Sequence, residues 1–151
     1  MGSHFINRND QPRWTERARP YVRNVRRRIK TGGRYLHQSL MTYCTPLPID
    51  LNVGISCNKK YVWPGFHWFS LGQHVNALER NGFLIEGVRN LTFHCAKITA
   101  SWYERFMSHS DEMVAHLGEP TTRVWQVFLA GITGSFLERR PHVYRLYCTA
   151  V

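Results

Sequence analysis

Residues 20–43, PYVRNVRRRIKTGGRYLHQSLMTY, place a helical pattern, a double glycine and a strand pattern in immediate succession. Pro20 suits the first turn of a helix, and after it the apolar residues recur at helical spacing while the arginines fall on other faces. Gly32-Gly33 supplies the glycine that commonly ends a helix. The segment 34–43 then predicts a strand. This stretch therefore predicts one helix followed directly by one strand.

The rest of the chain continues to alternate helices with strands. The remaining segments predict, in order, a loop, a helix, a strand, two helices and a strand: 44–65, 70–81, 83–93, 96–117, 121–139 and 142–151. This alternation predicts an α/β layer architecture. Three strands are few for such a sheet, because the mean sheet has about five or six strands. The side chains expected to face the core are Ile98, Trp102, Phe106 and Met113 in the segment 96–117, and Val124, Trp125, Phe128, Leu129, Ile132 and Phe136 in the segment 121–139.

The composition indicates a folded domain with a basic N-terminal segment. The 151 residues are 43% hydrophobic and 20% charged, which excludes collagen-like, low-complexity and fully disordered chains. The net charge is +10. Residues 1–34 hold ten Lys or Arg and two acidic residues (net +8), and residues 35–151 hold ten and eight (net +2). We therefore expect a flexible basic arm over 1–19 and one domain over 20–151.

Neither the cysteines nor the apolar segments indicate a zinc site, a secreted protein or a membrane span. The cysteines lack CxxC spacing, and they are Cys44, Cys57, Cys95 and Cys148. The N-terminus lacks the apolar segment of a signal peptide, and the longest apolar-rich stretch, 124–137, is too short to cross a bilayer. These features predict a cytoplasmic protein, with peripheral membrane association left open by its basic arm.

Five short segments form an ordered series of motifs. They are IKTGGRYLH at 29–37, KYVWPG at 60–65, NGF at 81–83 with VRNL at 88–91, HCAKITASWYERF at 94–106 and RVWQVFLA at 123–130. In this order they resemble motifs of the cyclopropane-fatty-acid synthase family of S-adenosylmethionine-dependent methyltransferases, which includes mycolic acid methyltransferases. The resemblance covers roughly residues 22–149, and its specificity comes from the order of the motifs.

The resemblance implies methyl transfer from S-adenosylmethionine to a carbon of a lipid-, isoprenoid- or polyketide-like acceptor. In the family an alkene attacks the sulfonium methyl, and a carbocation then loses a proton to a bicarbonate ion held by a strand-end histidine and a tyrosine. His37 matches that histidine and is the expected catalytic residue, whereas Cys95 stands at the tyrosine position. The residues expected to bind the acceptor are Trp63, Phe66, His94, Cys95 and Phe128.

The resemblance covers only the C-terminal half of a class I, Rossmann-like methyltransferase fold. The family binds its cofactor at an E.G.G.G turn, and this sequence contains no G-x-G. The segments 34–43, 142–151 and 83–93 match the fifth, seventh and sixth strands, which lie side by side in the family's sheet. We therefore expect the cofactor-binding half to be absent. Either the chain is a fragment, or a separate chain binds S-adenosylmethionine and associates with the unpaired edge of 34–43.

Other functional classes stay open at the level of sequence. The chain could be an inactive subunit that stabilises a complete methyltransferase, which Cys95 and the missing cofactor turn both favour. The basic arm could be a solvated surface, or it could bind an anionic acceptor or an anionic membrane surface. Charge alone also permits nucleic-acid binding, but the aromatic residues are not interleaved with the basic ones, so no nucleic-acid partner is expected.

Overall fold

A computed structural model describes residues 12–42, 60–64 and 69–151. The main helices of these residues are α1 (Pro12–Arg27), α2 (Leu71–Glu79), α3 (Thr92–Ser108), α4 (Ser110–Leu117) and α5 (Glu119–Leu137). The strands are β1 (Arg34–Met41), β2 (Phe83–Asn90) and β3 (His142–Ala150). None of the described helices is long and apolar enough to cross a membrane.

The three strands form one sheet in the order β1–β3–β2. Gly32 and Gly33, just before β1, exchange backbone hydrogen bonds with Ala150 at the end of β3. The N–H of Val151 donates to the carbonyl of Gly82, just before β2. Because the start of each outer strand meets the end of β3, the central strand runs antiparallel to both neighbours. The predicted α/β class and the predicted strand order are confirmed.

The two glycines between α1 and β1 are needed for two different steric reasons. Gly32 has a φ of 79°, a conformation that favours glycine. A Cβ on Gly33 would lie 2.6 Å from the side chain of Ile29 and 2.7 Å from the carbonyl oxygen of Lys30. The turn therefore needs glycine at both positions, and its bonds to Ala150 fix the register of β1 beside β3.

The chain divides into two compact units. The first comprises Met1–His37, Gly72–Val88 and Leu146–Val151, and the second comprises Gln38–Leu71 and Arg89–Arg145. Each strand contributes residues to both. The division into a flexible arm over 1–19 and one domain over 20–151 stays a prediction, although residues 12–19 are helical; residues 1–11 lie outside the described residues.

In the first unit, Arg26 ties the end of α1 to the turn before β2. Its guanidinium donates to the carbonyl of Ile29 at 3.0 Å and to that of Gly82 at 3.1 Å, and also to the carbonyl of Val151. One arginine of the basic N-terminal region is therefore part of the fold. The buried apolar side chains of this unit include Val22, Leu78, Phe83, Leu146 and Cys148.

In the second unit, α3 packs mainly on α5. The core cluster of the unit consists of Ala96, Phe128, Leu129, Ile132, Phe136 and Val143. Trp125 packs against this cluster, so the expected inward positions of α5 are confirmed. The expectation for α3 is confirmed for Phe106, which packs against the cluster, and wrong for Ile98 and Trp102, which are exposed, the latter by 56%. The buried stripe of α3 passes instead through the small residues Ala96 and Thr99, which permit close approach of another helix.

The helix boundaries differ from the sequence prediction most clearly in α1 and in the predicted helix over 96–117, which begins at Thr92. The first helix begins at Pro12, which takes the first-turn position expected for Pro20, and Pro20 lies inside the helix. Helix-favouring residues at 13–19 explain the extension. The single helix predicted over 96–117 is two helices, because the backbone at His109 departs from helical geometry with φ −119° and ψ 26°. The Ser108 hydroxyl donates to the Arg105 carbonyl at 2.9 Å and so binds an acceptor in the last turn of α3.

Candidate functional site

His37 lies in β1 with both ring nitrogens in hydrogen-bond contact. Its Nδ1 is 3.2 Å from the hydroxyl of Tyr35, and its Nε2 is 3.0 Å from Nδ1 of His74 in α2. The hydroxyl of Tyr35 is in turn 3.5 Å from that of Tyr21 in α1. Tyr35 and His37 share a face of the strand because they are two residues apart. We call Tyr21, Tyr35, His37 and His74 the histidine array; all four belong to the first unit.

The resemblance led us to expect His37 at the end of its strand, and this expectation is wrong. It is the fourth of the eight residues of β1, which continues to Met41. The strand extends because Gln38 still meets β3, where it accepts hydrogen bonds from the Arg145 guanidinium at 2.8 and 2.9 Å. Among the described residues, the hydrogen-bond neighbours of His37 are Tyr35 of the same strand and His74 of α2.

Burial keeps the two imidazoles of the array neutral near pH 7. It lowers the pKa of His37 below its usual value. Burial first, and the charge on His37 second, lower the pKa of His74 to about 4. Burial and then the Tyr21 hydroxyl raise the pKa of Tyr35 above its usual range, so Tyr35 keeps its proton. The array is a chain of neutral hydrogen-bonding groups.

This arrangement limits what His37 can do directly. A neutral imidazole has one N–H and one bare nitrogen, so the array runs in one of two directions. Either Tyr35 donates to His37 and His37 donates to His74, or both bonds are reversed. In both cases each ring nitrogen of His37 is occupied, and a proton from a substrate has to arrive through a neighbouring group.

An aromatic group surrounds Phe128 in the second unit. The ring of Trp63 meets that of Phe128 edge to face, with centroids 5.0 Å apart and an interplanar angle of 81°. Trp125 makes a second edge contact at 5.6 Å and 86°. Phe128 itself is 9% exposed, whereas Trp63 is 37% exposed. The predicted acceptor-binding residues Trp63 and Phe128 are thus brought together, and Trp63 leaves part of the group open to a ligand.

Cys95 lies in the first turn of α3 and packs against the core cluster that contains Phe128. The start of this helix is held by Asn90, whose side chain accepts from the N–H of Thr92 at 2.8 Å. The hydroxyl of Thr92 accepts from the N–H of Val143 at 3.0 Å, beside the start of β3. His94, the neighbour of Cys95, is exposed. Cys95 and Phe128 therefore lie in one apolar environment, and His94 lies at its surface.

Two opposing influences act on the Cys95 thiol. Burial raises its pKa, and the positive charge of Arg145 lowers it by a smaller amount. Cys148 in β3 is more strongly affected, because burial and the carboxylate of Glu86 raise its pKa to about 11. Neither cysteine has the depressed pKa of an activated nucleophile.

We expect both thiols to alkylate slowly at neutral pH, and Cys148 more slowly than Cys95. Because burial raises the pKa of Cys95 above its usual value, little thiolate is present at pH 7, and the labelling rate should rise about tenfold per pH unit while the thiol stays mostly protonated. Iodoacetamide labelling followed by peptide mass spectrometry measures both rates. The variant Arg145→Met should slow Cys95 and leave Cys148 unchanged. Rapid labelling of Cys95 at pH 7 would contradict the effect of burial.

The remaining predicted residues fall in different places. Phe66 lies outside the described residues, as do Cys44 and Cys57. The exposed basic side chains at the end of α1 and in the following turn are Arg23, Arg27, Arg28, Lys30 and Arg34, and their docking to an anionic surface stays a prediction. Within the described residues, no group of three or more His, Cys, Asp or Glu is placed to hold a metal ion.

Sequence reasoning missed Tyr35, His74 and Arg145. A signal existed for His74, because it falls between Leu71 and Leu78 on the apolar stripe of the predicted helix over 70–81. A histidine in such a position is either buried among apolar groups or paired with a polar group of another element. Nothing in the sequence identifies that partner as His37.

The sheet order, the antiparallel central strand and the helical segment between β2 and β3 define part of a Rossmann-like α/β fold. The family model for mycolic acid cyclopropane synthetase matches residues 14–146, and the chain belongs to this family.

Individual relatives agree with this assignment. Over 82 residues, 54% of this chain, it is 34% identical to sphingolipid C9-methyltransferase A of Emericella nidulans and covers 16% of that protein. The structure resembles the cyclopropane synthase MmaA2 from Mycobacterium tuberculosis with a TM-score of 0.85 at 16% identity, covering 89% of this chain and 50% of that one. It also resembles the mycolic acid cyclopropane synthase CmaA1 in its complex with SAH and CTAB, with a TM-score of 0.82 at 18% identity and coverages of 89% and 50%. The chain thus spans half the length of these solved structures.

Proposed function

We propose that this chain forms the acceptor side of an S-adenosylmethionine-dependent methyltransferase, which transfers a methyl group to a carbon of a lipid acceptor. The observation that carries the proposal is the family match over residues 14–146. The complex of CmaA1 with SAH, the demethylated form of the cofactor, supports the identity of the methyl donor.

The acceptor we propose is a long-chain, sphingolipid-like molecule. The name of the 34% identical relative specifies a sphingolipid and a carbon position. The group formed by Trp63, Trp125 and Phe128 offers apolar, edge-to-face aromatic surface, which suits an acyl chain better than a polar substrate. Aromatic rings also stabilise a cation that develops close to their faces.

The S-adenosylmethionine site, in this proposal, is contributed mainly by polypeptide beyond these 151 residues, in a separate chain or in a longer form of this one. The sequence contains no G-x-G turn of the kind that binds the adenosine part of such a cofactor, and the chain covers 50% of each solved neighbour. The lipid-binding half and the cofactor-binding half together would complete the active site.

The test is a reconstituted methyl transfer. The chain is combined with the cofactor-binding half of a sphingolipid C9-methyltransferase, S-adenosylmethionine with a labelled methyl group, and a ceramide in vesicles. Label in the extracted lipid, dependent on both polypeptides, is the expected result. Label that appears equally without this chain would contradict an acceptor-side role, and no label with any lipid acceptor would contradict the proposal as a whole.

In that assay, replacing His37 by alanine should lower the rate of methyl transfer by about 100-fold or more, the usual contribution of a proton-transferring group. The substitution removes the centre of the histidine array. His116→Ala is the matched control, because His116 is an exposed histidine of α4, and it should retain full activity. Full activity of His37→Ala would remove His37 from the mechanism.

A second candidate function is that of an inactive subunit which stabilises a complete methyltransferase. Cys95 at the position of the family's tyrosine favours it. In this case addition of the chain raises the melting temperature of the partner enzyme, and His37→Ala leaves the yield of methylated lipid unchanged. The two candidates therefore predict opposite results for the same variant.

A further inference from the structure

We propose that His37 and His74 form a store for a single proton, which is loaded through the Tyr35 hydroxyl, and that His74 is the positioning residue that holds the loaded form. The place of this store in catalysis rests on the proposed function, because it would receive the proton that leaves the substrate after methyl transfer. The store itself rests on the contacts of the histidine array.

The two atoms beside the His37 ring are both able to accept a hydrogen bond. A protonated imidazole carries an N–H at each ring nitrogen and therefore needs two acceptors. The Tyr35 oxygen lies 3.2 Å from Nδ1, and the bare Nδ1 of a neutral His74 lies 3.0 Å from Nε2. The array can thus hold an imidazolium at His37 with both N–H groups bonded, even though the ring is largely buried.

Tyr35 is the entry to the store because both nitrogens of His37 are occupied. As a proton reaches the Tyr35 oxygen, the tyrosine's own proton passes to Nδ1 of His37. One O–H bond forms, one O–H bond breaks and one N–H bond forms, so Tyr35 ends neutral and His37 carries the charge. If the proton comes from the carbocation, the electron pair of its C–H bond remains on the substrate as a carbon–carbon bond. Tyr21, at 3.5 Å from Tyr35 and exposed, links the array to solvent for release of the proton.

Electrostatic repulsion from a protonated His37 opposes the uptake of a second proton by His74. His74 would have to become positive 3.0 Å from a charged His37, and this repulsion adds to burial in lowering the pKa of His74. The titratable groups that act on the array from the neighbouring elements are Tyr21 of α1 and Cys148 of β3, and Glu86 of β2 acts on Cys148. Burial and the carboxylate of Glu86 raise the pKa of Cys148 to about 11, so this thiol is neutral at pH 7 and supplies no charge that would favour a second proton.

The experiment is a pH titration by NMR of the assembled protein, in which this chain alone carries ¹⁵N-labelled histidine. We expect one proton to be taken up by the pair, on His37, with His74 still neutral when His37 is half-protonated. His74→Leu, which fills the space but accepts no bond, should lower the midpoint of His37 by about 1–2 pH units. His74→Asn keeps a hydrogen-bond acceptor and should shift the His37 midpoint by less than half as much as His74→Leu does. Tyr35→Phe should lower the His37 midpoint in the same way as His74→Leu.

Two results would overturn the store. One is an unchanged His37 midpoint in His74→Leu, with backbone spectra showing that the variant is folded. The other is independent titration of both imidazoles at one midpoint. Since neither observation depends on methyl transfer, the outcome is separable from that of the proposed function. If the store is present and methyl transfer is absent, the proposed function fails. If methyl transfer occurs and its pH profile is the same in His74→Leu, the catalytic use of the store fails.

Discussion

Expressed by itself, the 151-residue chain is expected to be found in an assembly heavier than 17.7 kDa rather than as a stable monomer. We propose that the preferred partner is the polypeptide that carries the cofactor-binding half, with self-association as the alternative when that partner is missing. Size-exclusion chromatography with light scattering, on the chain alone and then with the cofactor-binding half, measures the mass of each form.

We expect an assembly because one face of the sheet in the first unit carries exposed apolar side chains. Thr149 donates to Glu86 across β3 and β2, which places both on the same face, and strand alternation adds their neighbours at two-residue spacing. We call the large apolar members of this face, all between 38% and 55% exposed, the open face: Leu36, Leu84, Val88 and Tyr147. Several large apolar side chains exposed on one face of a sheet are typical of an interaction site.

The free energy gained by burying such a face in an interface is large compared with the stability of a domain. An interface that removes about 800 Å² of apolar surface from water contributes about 20 kcal/mol before the cost of association. A typical domain is stable by only about 5–15 kcal/mol. Within the described sheet, β1 and β2 each pair with β3 alone, so both also offer an unpaired edge.

A substitution on the open face provides the control. Leu84→Lys should shift the assembly towards smaller species, because it places a charge where a partner buries apolar surface. Val127→Lys serves as the matched variant, since Val127 is 74% exposed on α5, outside the open face, and it should leave the mass unchanged. A monodisperse monomer with a cooperative melt would contradict the prediction and would mean that the chain covers this face itself.

Replacing Phe128 by alanine should lower the free energy of unfolding by about 3–5 kcal/mol. Phe128 is buried in the core cluster of the second unit, and its ring makes edge-to-face contacts with the rings of Trp63 and Trp125. The substitution therefore leaves a cavity and also removes two favourable aromatic contacts. Denaturant unfolding of the assembled protein, followed by tryptophan fluorescence, measures the change because Trp63 and Trp125 report on this cluster.

The adjacent residue supplies the comparison for this variant. Val127→Ala changes an exposed side chain of the same helix and should alter the free energy of unfolding by less than about 0.5 kcal/mol. Equal effects of the two substitutions would show that the second unit does not unfold through loss of this core. A lipid acceptor that binds at Trp63 should also be bound more weakly by Phe128→Ala than by Val127→Ala.

Most secondary-structure elements were predictable because their signals are local. The double glycine marks the start of β1, and Gly82 and Pro141 precede the other two strands, so all three strand starts were predicted correctly. The helix boundaries were less predictable because two prolines compete for the start of α1 and because nothing at 108–109 breaks the apolar pattern. Helical spacing assigned Trp102 to the core, yet the buried stripe of α3, which packs on α5, passes through the small residues Ala96 and Thr99.

The sequence by itself determined the fold class, the strand order through its ordered motifs, and His37, Cys95, Trp63 and Phe128 as candidate residues. Each of these depends on a residue type at a fixed position along the chain. Only the tertiary structure decided what those residues touch. The contact between His37 and His74 joins side chains 37 residues apart, and it exists because the fold brings α2 beside the face of β1 that carries Tyr35 and His37. Such a contact depends on the packing of whole elements, so no local pattern specifies it, and the same holds for the exposed side chains of the open face.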